Sequence, residues 1–390
     1  MIPRIKPVGL GLIPVCTLAI ALVASPTLTA QQEDSSSSRS RAMTLEKQGQ
    51  TTEAEHIWSA IAKADPRNAE ALAHLGLLEA RQEHYDAAID LYRSALAIDP
   101  NLPGLQMNLG LTLFKASQFP DAIKAFSAEI KKHPLDPRLT ILLGMAHYGM
   151  KDYLVAIPYL QRAAERDPQN VTIRLTLANS CLRSRQLQCV LDTHKEIQQL
   201  NADTAEADML AGQALAQMQN KAAAEHEFRE AILKDPREPR LHFALGYFLW
   251  SERKWAESAA EFQLELQNDP QATDAQVFLA DSWVQQNEFV KAASLLESLT
   301  VSEAYAALVH RDLGIIYANE KRTEDAIREL TAASEADPEA PEPHLQLAKL
   351  YQAANQQSDA SKELMKARTL HPQSLPSLEE VIDAAQSPAP

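Results

Sequence analysis

Residues 75–100 read LGLLEARQEHYDAAIDLYRSALAIDP, and residues 109–134 read LGLTLFKASQFPDAIKAFSAEIKKHP. Both segments open with Leu-Gly, carry an alanine near the centre and an aromatic residue four positions later, and end in proline, in registers 34 residues apart. A fixed period of this length indicates an array of supersecondary units, each of which is too small to bury a core alone.

The proline carries this period along most of the chain. Prolines separated by 34 or 68 residues stand at Pro66, Pro100, Pro134, Pro168, Pro236, Pro270, Pro338 and Pro372, and the two skipped positions hold Ala202 and Ala304. Six of the eight prolines follow an aspartate. Because the residue before proline is kept out of the α region and aspartate favours turns, each Asp-Pro pair is predicted to end a helix.

Two further positions recur in the same register. Twenty-four residues before the proline position the residue is small: Gly76, Gly110, Gly144, Gly212, Gly246 and Gly314, with Ala42, Ala178, Ala280 and Ala348 in the other repeats. Since glycine costs about 1 kcal/mol inside a helix, its return predicts the close approach of a second helix. The recurrent alanine twelve residues before the proline is expected to face it across a helical hairpin. Bulky residues eight positions before the proline, from Trp58 to Leu364, are expected to fill the space between neighbouring hairpins.

Composition and charge narrow the function classes. The chain has 390 residues, of which 45% are apolar and only 11 are glycine, so it is neither disordered as a whole nor an all-β fold. The formal net charge is -15, and no run of more than two adjacent basic residues occurs. This excess of acid repels phosphate backbones, which argues against a nucleic-acid partner and favours neutral or basic protein partners.

The Leu-Gly, Ala-x-x-x-aromatic and Pro spacing resembles the tetratricopeptide repeat family over about residues 42–372. The resemblance implies an all-α, right-handed superhelical solenoid of about ten antiparallel helix pairs, whose leading helices line a concave groove that binds segments of partner proteins. The repeat at 171–204 departs most from the pattern, with Ala178, Val190, His194 and Ala202 at the four recurrent positions, so its hairpin is expected to be distorted. Residues 373–390 are expected to form a capping helix and tail.

The amino-terminal segment has the order of an export signal. Arg4 and Lys6 precede an apolar stretch at 8–24, and small residues follow up to Ala30. Residues 1–30 are therefore predicted to be a signal peptide, with an uncleaved membrane anchor as the alternative, so that the bulk of the chain is periplasmic or secreted. Residues 31–41 are polar and rich in serine, and are predicted to be a linker or a frayed terminus.

The sequence motifs do not indicate a catalytic site. The single G-x-G lies at Gly9–Gly11 in the export signal, and the histidines and carboxylates are scattered over the array. His242, His310 and His344 recur at repeat spacing and are interpreted as helix-surface residues. The sequence therefore predicts no catalytic residue, no cofactor and no metal ion.

The leading helices hold the candidate binding residues. Phe243, Tyr247 and Trp250 form one stripe of a helix, and earlier repeats offer a similar set: Met107, Asn108, Leu111, Phe114, Ile141, Met145 and Tyr148. Such stripes serve either as core or as a partner-binding surface, and both alternatives stay open here. Some members of the resembling family clamp a terminal carboxylate with paired Lys and Asn. This chain has apolar residues such as Ala73 at those places, with Asn108 alone matching, which argues against such a clamp.

Cys181 and Cys189 flank the predicted turn of the irregular repeat. In an oxidising compartment they are candidates for a disulfide, while two buried thiols and a redox-active pair are the other interpretations.

Taken together, the sequence predicts an exported, non-catalytic scaffold that binds other proteins. The alternatives are a membrane-tethered assembly factor of an envelope or secretion machine and an accessory domain of an enzyme.

Overall fold

Every regular element in the described part of the chain is a helix. The computed structural model describes residues 26–370 apart from residues 201, 203 and 300–302, with side chains from residue 36 onward. Within these residues, twenty helices follow one another as leading and trailing members of ten repeats, so the predicted all-α repeat fold is confirmed. The predicted signal segment up to residue 25 and the predicted capping helix lie outside the described residues.

The helices divide into two units, which meet in the sequence between Ser184 and Arg185. In the N-terminal unit, each helix packs against the next one in the chain. Its helices are α1 (Pro26–Lys47), α2 (Thr51–Ala64), α3 (Ala69–Arg81), α4 (Tyr85–Ile98), α5 (Leu105–Lys115), α6 (Phe119–Lys132), α7 (Pro137–Gly149), α8 (Tyr153–Arg166) and α9 (Val171–Arg183).

The C-terminal unit is built in the same way. Its helices are α10 (Leu187–Gln199), α11 (Ala205–Gln217), α12 (Lys221–Lys234), α13 (Leu241–Ser251), α14 (Trp255–Asn268), α15 (Thr273–Gln285), α16 (Phe289–Leu296), α17 (Glu303–Asn319), α18 (Thr323–Ala336), α19 (Pro341–Ala353) and α20 (Gln357–Thr369). The two helices of the repeat that departs most from the pattern, α9 and α10, each have 13 residues, so neither of them is shortened.

The segment predicted to be a linker is helical, which corrects the prediction for residues 31–41. Helix α1 runs through this segment. The Ser40 hydroxyl donates to the Ser36 carbonyl at 3.0 Å, so a side chain that competes with the helix elsewhere is satisfied inside it. Arg39 also pairs with Glu70 of α3 at 2.6 Å. These contacts fix a polar helix that its composition alone does not favour.

The Asp-Pro pairs end helices as predicted. At Asp65, the backbone N–H still donates to the Ile61 carbonyl at 2.9 Å, while the backbone has already become extended. The aspartate carboxylate then accepts the N–H of the residue after proline at 2.9–3.2 Å, and this bond recurs at Asp65, Asp99, Asp235, Asp269 and Asp337. Proline supplies no N–H of its own, so the carboxylate satisfies the first donor after the helix.

The turn inside each hairpin has a left-handed residue at the same place in successive repeats. Among the described residues, nine that are not glycine have φ between 56° and 65° at intervals of 34: Glu83, Ser117, Lys151, Arg185, Gln219, Arg253, Asn287, Lys321 and Asn355. The next N–H closes the turn on the carbonyl five residues back, as from His84 to Glu79 at 3.0 Å. This is the Schellman helix ending, which usually has glycine at the left-handed position. The hydrogen bond therefore keeps the same turn conformation although the residue at the left-handed position differs from repeat to repeat.

The recurrent glycine meets the bulky residue of its own hairpin, which corrects the expectation that this residue fills the space between hairpins. A methyl group placed on Gly246 would lie 2.9 Å from the Phe262 ring, and one on Gly110 would lie 2.5 Å from the Phe126 ring. The same contact recurs at Gly76, Gly144, Gly212 and Gly314, each facing the residue 16 positions later. The side chain of the trailing helix thus occupies the place where the leading helix has no Cβ.

We expect Gly246→Ala to destabilise the C-terminal unit, because the new methyl group overlaps the Phe262 ring. Overpacking of this kind costs about 1–3 kcal/mol. Phe262→Leu in the same chain should recover part of the loss, since two of the four repeats with alanine at the small position, those of Ala280 and Ala348, have Leu296 and Leu364 at the bulky one. Thermal and urea denaturation of the two single variants and the double variant measure this coupling. Additive losses would contradict the contact.

Candidate functional site

Leading helices of neighbouring repeats contact one another in both units. In the N-terminal unit α3 contacts α5 and α7 contacts α9, and in the C-terminal unit the contacts run from α11 through α13, α15 and α17 to α19. We call this set of helices the leading layer. All ten residues from Leu241 to Trp250 of α13 are buried, whereas the trailing helix α12 buries only Ala224, Phe228 and Ala231. The leading layer is therefore enclosed by neighbours on more sides than the trailing helices are.

The predicted binding residues of the N-terminal unit lie on the leading helices, mostly inside the core. Five of them are buried: Met107, Asn108, Leu111, Met145 and Tyr148. Phe114 and Ile141 are half-buried, and Phe114 contacts Phe119 edge-on at 5.5 Å between ring centroids. Of the residues predicted for this unit, Phe114 and Ile141 are thus the ones with side chains partly open to solvent.

The predicted aromatic stripe of the C-terminal unit is part of its core. The exposed fractions of Phe243, Tyr247 and Trp250 are 0%, 4% and 9%. The ring of Phe278 on the next leading helix lies 6.1, 5.2 and 5.0 Å from these three rings. This burial favours packing over partner contact as the main role of the stripe, and its role in binding stays a prediction.

The short trailing helix α16 coincides with close packing of the leading helix α17 against the leading helix α15. It has 8 residues where most trailing helices have 13 or 14, and α17 is extended to 17 residues. Tyr305, in the first turn of α17, packs edge-on against Phe278 of α15 at 6.1 Å. The shortened helix thus leaves space that the neighbouring leading helices fill with aromatic side chains.

A buried charge network joins three of these leading helices and was not predicted from the sequence. Asp281 accepts hydrogen bonds from the Trp250 indole and from the Arg311 guanidinium. Arg311 also donates to Asp312 at 2.6 and 2.9 Å, while the second carboxylate oxygen of Asp312 has no hydrogen-bond partner among the described residues. Burial raises the pKa of Asp312 well above its ordinary value, and Arg311 opposes that shift. One guanidinium therefore compensates two buried carboxyl groups.

Glu265 caps the start of α13 from the trailing helix of the same hairpin. Its carboxylate accepts the backbone N–H of Arg240 at 3.1 Å and that of Phe243 at 3.2 Å. Burial raises the pKa of Glu265, and the positive charge of Arg240 lowers it. The Arg240 guanidinium lies 3.9 Å above the Phe243 ring and pairs with Asp274 of the next leading helix. This arrangement fixes Arg240 at the edge of the aromatic cluster.

The histidines that recur at repeat spacing are paired with carboxylates. His242, His310 and His344 each contact a glutamate 19 residues later through Nδ1, at 2.7, 2.8 and 2.6 Å. A different arrangement occurs near α11, where His194, Asp208 and Glu227 place ligand-type atoms within 4.8 Å of one another. The sequence prediction assigned no ligand role to His194. The signal was His194 at a position that is apolar in the other repeats, and it was interpreted as a distortion of the hairpin.

Cys181 on α9 is fully buried, and Cys189 on α10 is half-buried. Both cysteines are disulfide-bonded, so neither offers a titrating thiol.

Among the described helices, none combines the length and the apolar content that a membrane crossing requires.

Comparison with known proteins matches nearly the whole repeat array. A family model described as tetratricopeptide repeat matches residues 40–103, 107–171, 141–188, 209–273 and 279–341, and a second model of the same description matches residues 317–380. Among curated proteins, the chain is 27% identical over 151 residues to the protein O-mannosyl-transferase TMTC1 of Mus musculus, and 23% identical over 215 residues to the BBSome complex member BBS4 of Bos taurus. These matches cover 38% and 55% of the chain, and 16% and 41% of the two relatives, so the chain spans less than half the length of either.

Solved structures match parts of the chain at low identity. MamA from Desulfovibrio magneticus RS-1 is 22% identical with a TM-score of 0.40, and the match covers 43% of this chain and 94% of that one. YrrB, described as a TPR protein with an unusual peptide-binding site, is 19% identical with a TM-score of 0.41, and the match covers 46% of this chain and 92% of that one.

We expect the double variant Phe243→Ala, Trp250→Ala to lower the melting temperature strongly, because both rings are buried against Phe278. Removal of a buried Phe or Trp side chain costs about 3–5 kcal/mol. Leu264→Ala on the exposed side of α14 is the matched control and should change stability little. Circular dichroism melts measure the loss. An unchanged melting temperature would instead indicate that the aromatic stripe lies on the protein surface and is not part of the core.

Proposed function

The chain belongs to the tetratricopeptide repeat family, and we propose that it is a non-catalytic scaffold that binds segments of other proteins along its leading layer. The observation that carries the proposal is the direct contact between leading helices of neighbouring repeats, which runs from α11 through to α19 in the C-terminal unit and joins α3 to α5 and α7 to α9 in the N-terminal unit. Such contact places side chains from several repeats on one surface, where an extended segment meets them in sequence. The chain is also similar over 55% of its length to a protein named as a member of a complex.

The binding residues that we propose are the half-buried ones of this layer. Phe114 and Ile141 serve in the N-terminal unit, and Leu308 and Ile315 are partly buried on α17. Fully buried side chains such as Phe243 then hold the layer rigid without touching the partner. With a net charge of -15, the chain attracts partners that are neutral or basic.

Site-specific photo-crosslinking in the natural host tests this assignment. A benzoyl-phenylalanine at position 141 or 315, on a leading helix, is expected to capture a partner protein. The matched positions are 154 and 331, which are exposed on the trailing helices of the same hairpins, and these should capture none or far less. Preserved melting temperature in each variant is the control for folding. Equal capture from both sets of positions, or capture from the trailing helices alone, would overturn the proposal.

We propose further that the protein acts outside the cytoplasm. The support is the order of basic, apolar and small residues before residue 31, together with the acidic composition of the chain beyond that point. Amino-terminal sequencing of protein from cell fractions tests this, with a mature start near residue 31 in the exported fraction as the expected result. An intact start in the membrane fraction would support the tethered assembly factor, and recovery from the cytoplasm alone would contradict export.

A further inference from the structure

The group formed by His194, Asp208 and Glu227 brings three helices of the C-terminal unit together. His194 lies on α10, Asp208 on α11 and Glu227 on α12. The Nε2 atom of His194 lies 2.9 Å from Oδ1 of Asp208 and 3.8 Å from Oε2 of Glu227. The three candidate ligand atoms all lie within 4.8 Å of one another. In a tetrahedral zinc site with bonds of about 2.0–2.1 Å, ligand atoms are about 3.3 Å apart, so the distance from His194 to Asp208 must widen slightly and the distance from His194 to Glu227 must shorten slightly.

The repeat register shows what is unusual about two of these residues. Asp208 and Glu227 are 19 residues apart and stand at the two positions that hold the His–Glu pairs in three other repeats, for example His242 and Glu261. Here an acid replaces the histidine, so two carboxylates face each other where the other repeats pair a base with an acid. Carboxylates this close repel each other unless positive charge lies nearby.

The third residue comes from a position that is apolar in the other repeats. His194 stands at the bulky position, where the other repeats have Trp, Tyr, Phe or Leu. Its side chain is 10% exposed, that of Asp208 is 1% exposed and that of Glu227 is 21% exposed. The group is thus largely buried but open on the Glu227 side, which gives an ion a path of entry and leaves room for a water ligand.

The local charge leaves a place for a divalent cation. Lys234 pairs with Oδ2 of Asp208, and this leaves Oδ1 directed toward His194. With a neutral imidazole, the two carboxylates and one ammonium sum to a single negative charge. Lys234 therefore acts as a positioning residue that orients the Asp208 carboxylate, as outer-shell partners of metal ligands commonly do.

We propose that His194, Asp208 and Glu227 bind a Zn²⁺ ion that ties α10, α11 and α12 together. One imidazole nitrogen with two carboxylate oxygens suits a borderline ion such as Zn²⁺, whereas Mg²⁺ and Ca²⁺ prefer oxygen ligands alone. The ion would hold α10, whose repeat lacks the proline and the apolar bulky residue, onto the regular hairpin formed by α11 and α12. None of the three residues is among the partner-binding residues proposed above.

Calorimetric titration of the tag-free, chelator-treated full chain with ZnCl₂ tests the site. We expect one ion per chain, with a Kd of micromolar or below, and a higher melting temperature in the presence of zinc. MgCl₂ in the same titration should give no binding. Equal binding of Mg²⁺ would overturn the assignment to zinc, and the absence of zinc binding would reduce the group to an ion-pair network.

Three variants locate the ion. His194→Leu is expected to fold, because leucine stands at this position in the repeats that have Ala280 and Ala348 at the small position. It should weaken zinc binding at least tenfold, as should Glu227→Gln. The matched control is His242→Ala. This variant breaks the pair between His242 and Glu261, which offers only two candidate ligand atoms, so zinc binding should be unchanged. Zinc binding that survives in folded His194→Leu, or that is lost in His242→Ala, would place the ion elsewhere and overturn the proposal.

Discussion

The contact on which the structure depends is the one between a residue without a bulky side chain on a leading helix and the large side chain 16 residues later on the trailing helix. Gly110 and Phe126 show it most clearly, since no Cβ fits between them without a shift of the ring. A single hairpin buries too little apolar surface to be stable alone. The interlock sets the distance and rotation of the two helices, so that each hairpin offers its neighbour the same surface.

The same register also decides where charge is placed. Positions 19 residues apart on the two helices of a hairpin hold His242 and Glu261 in one repeat and Asp208 and Glu227 in another. Because the two pairs stand at the same positions of the repeat, the difference in chemistry at these positions arises from one substitution on the leading helix. Departures from the repeat pattern are therefore the places where this chain differs from a plain structural array.

Much of the fold could be predicted because it rests on local rules. The Asp-Pro endings follow from the backbone of two residues, and the small position follows from the period. The helix over residues 31–41 was missed, since it depends on Arg39 reaching Glu70 on another helix. The candidate site was harder to predict, because a stripe such as Phe243 and Trp250 has the same pattern whether the next leading helix covers it or not. Phe278 of α15 covers this stripe, and no local signal in α13 indicates that contact.

The charge network around Asp281 indicates why that arrangement is specific. A buried aspartate costs free energy unless it is paired, and this one accepts hydrogen bonds from Gln285 of its own helix and from Trp250 and Arg311 on the helices on either side. An aromatic cluster alone tolerates sliding of one helix along another, because apolar contacts are not directional. Hydrogen bonds to one carboxylate from both neighbours remove that freedom. The packed aromatic residues thus stabilise this part of the leading layer, and the buried charges fix the register of its helices. A surface assembled from several repeats requires such a fixed register, because its binding residues come from different helices.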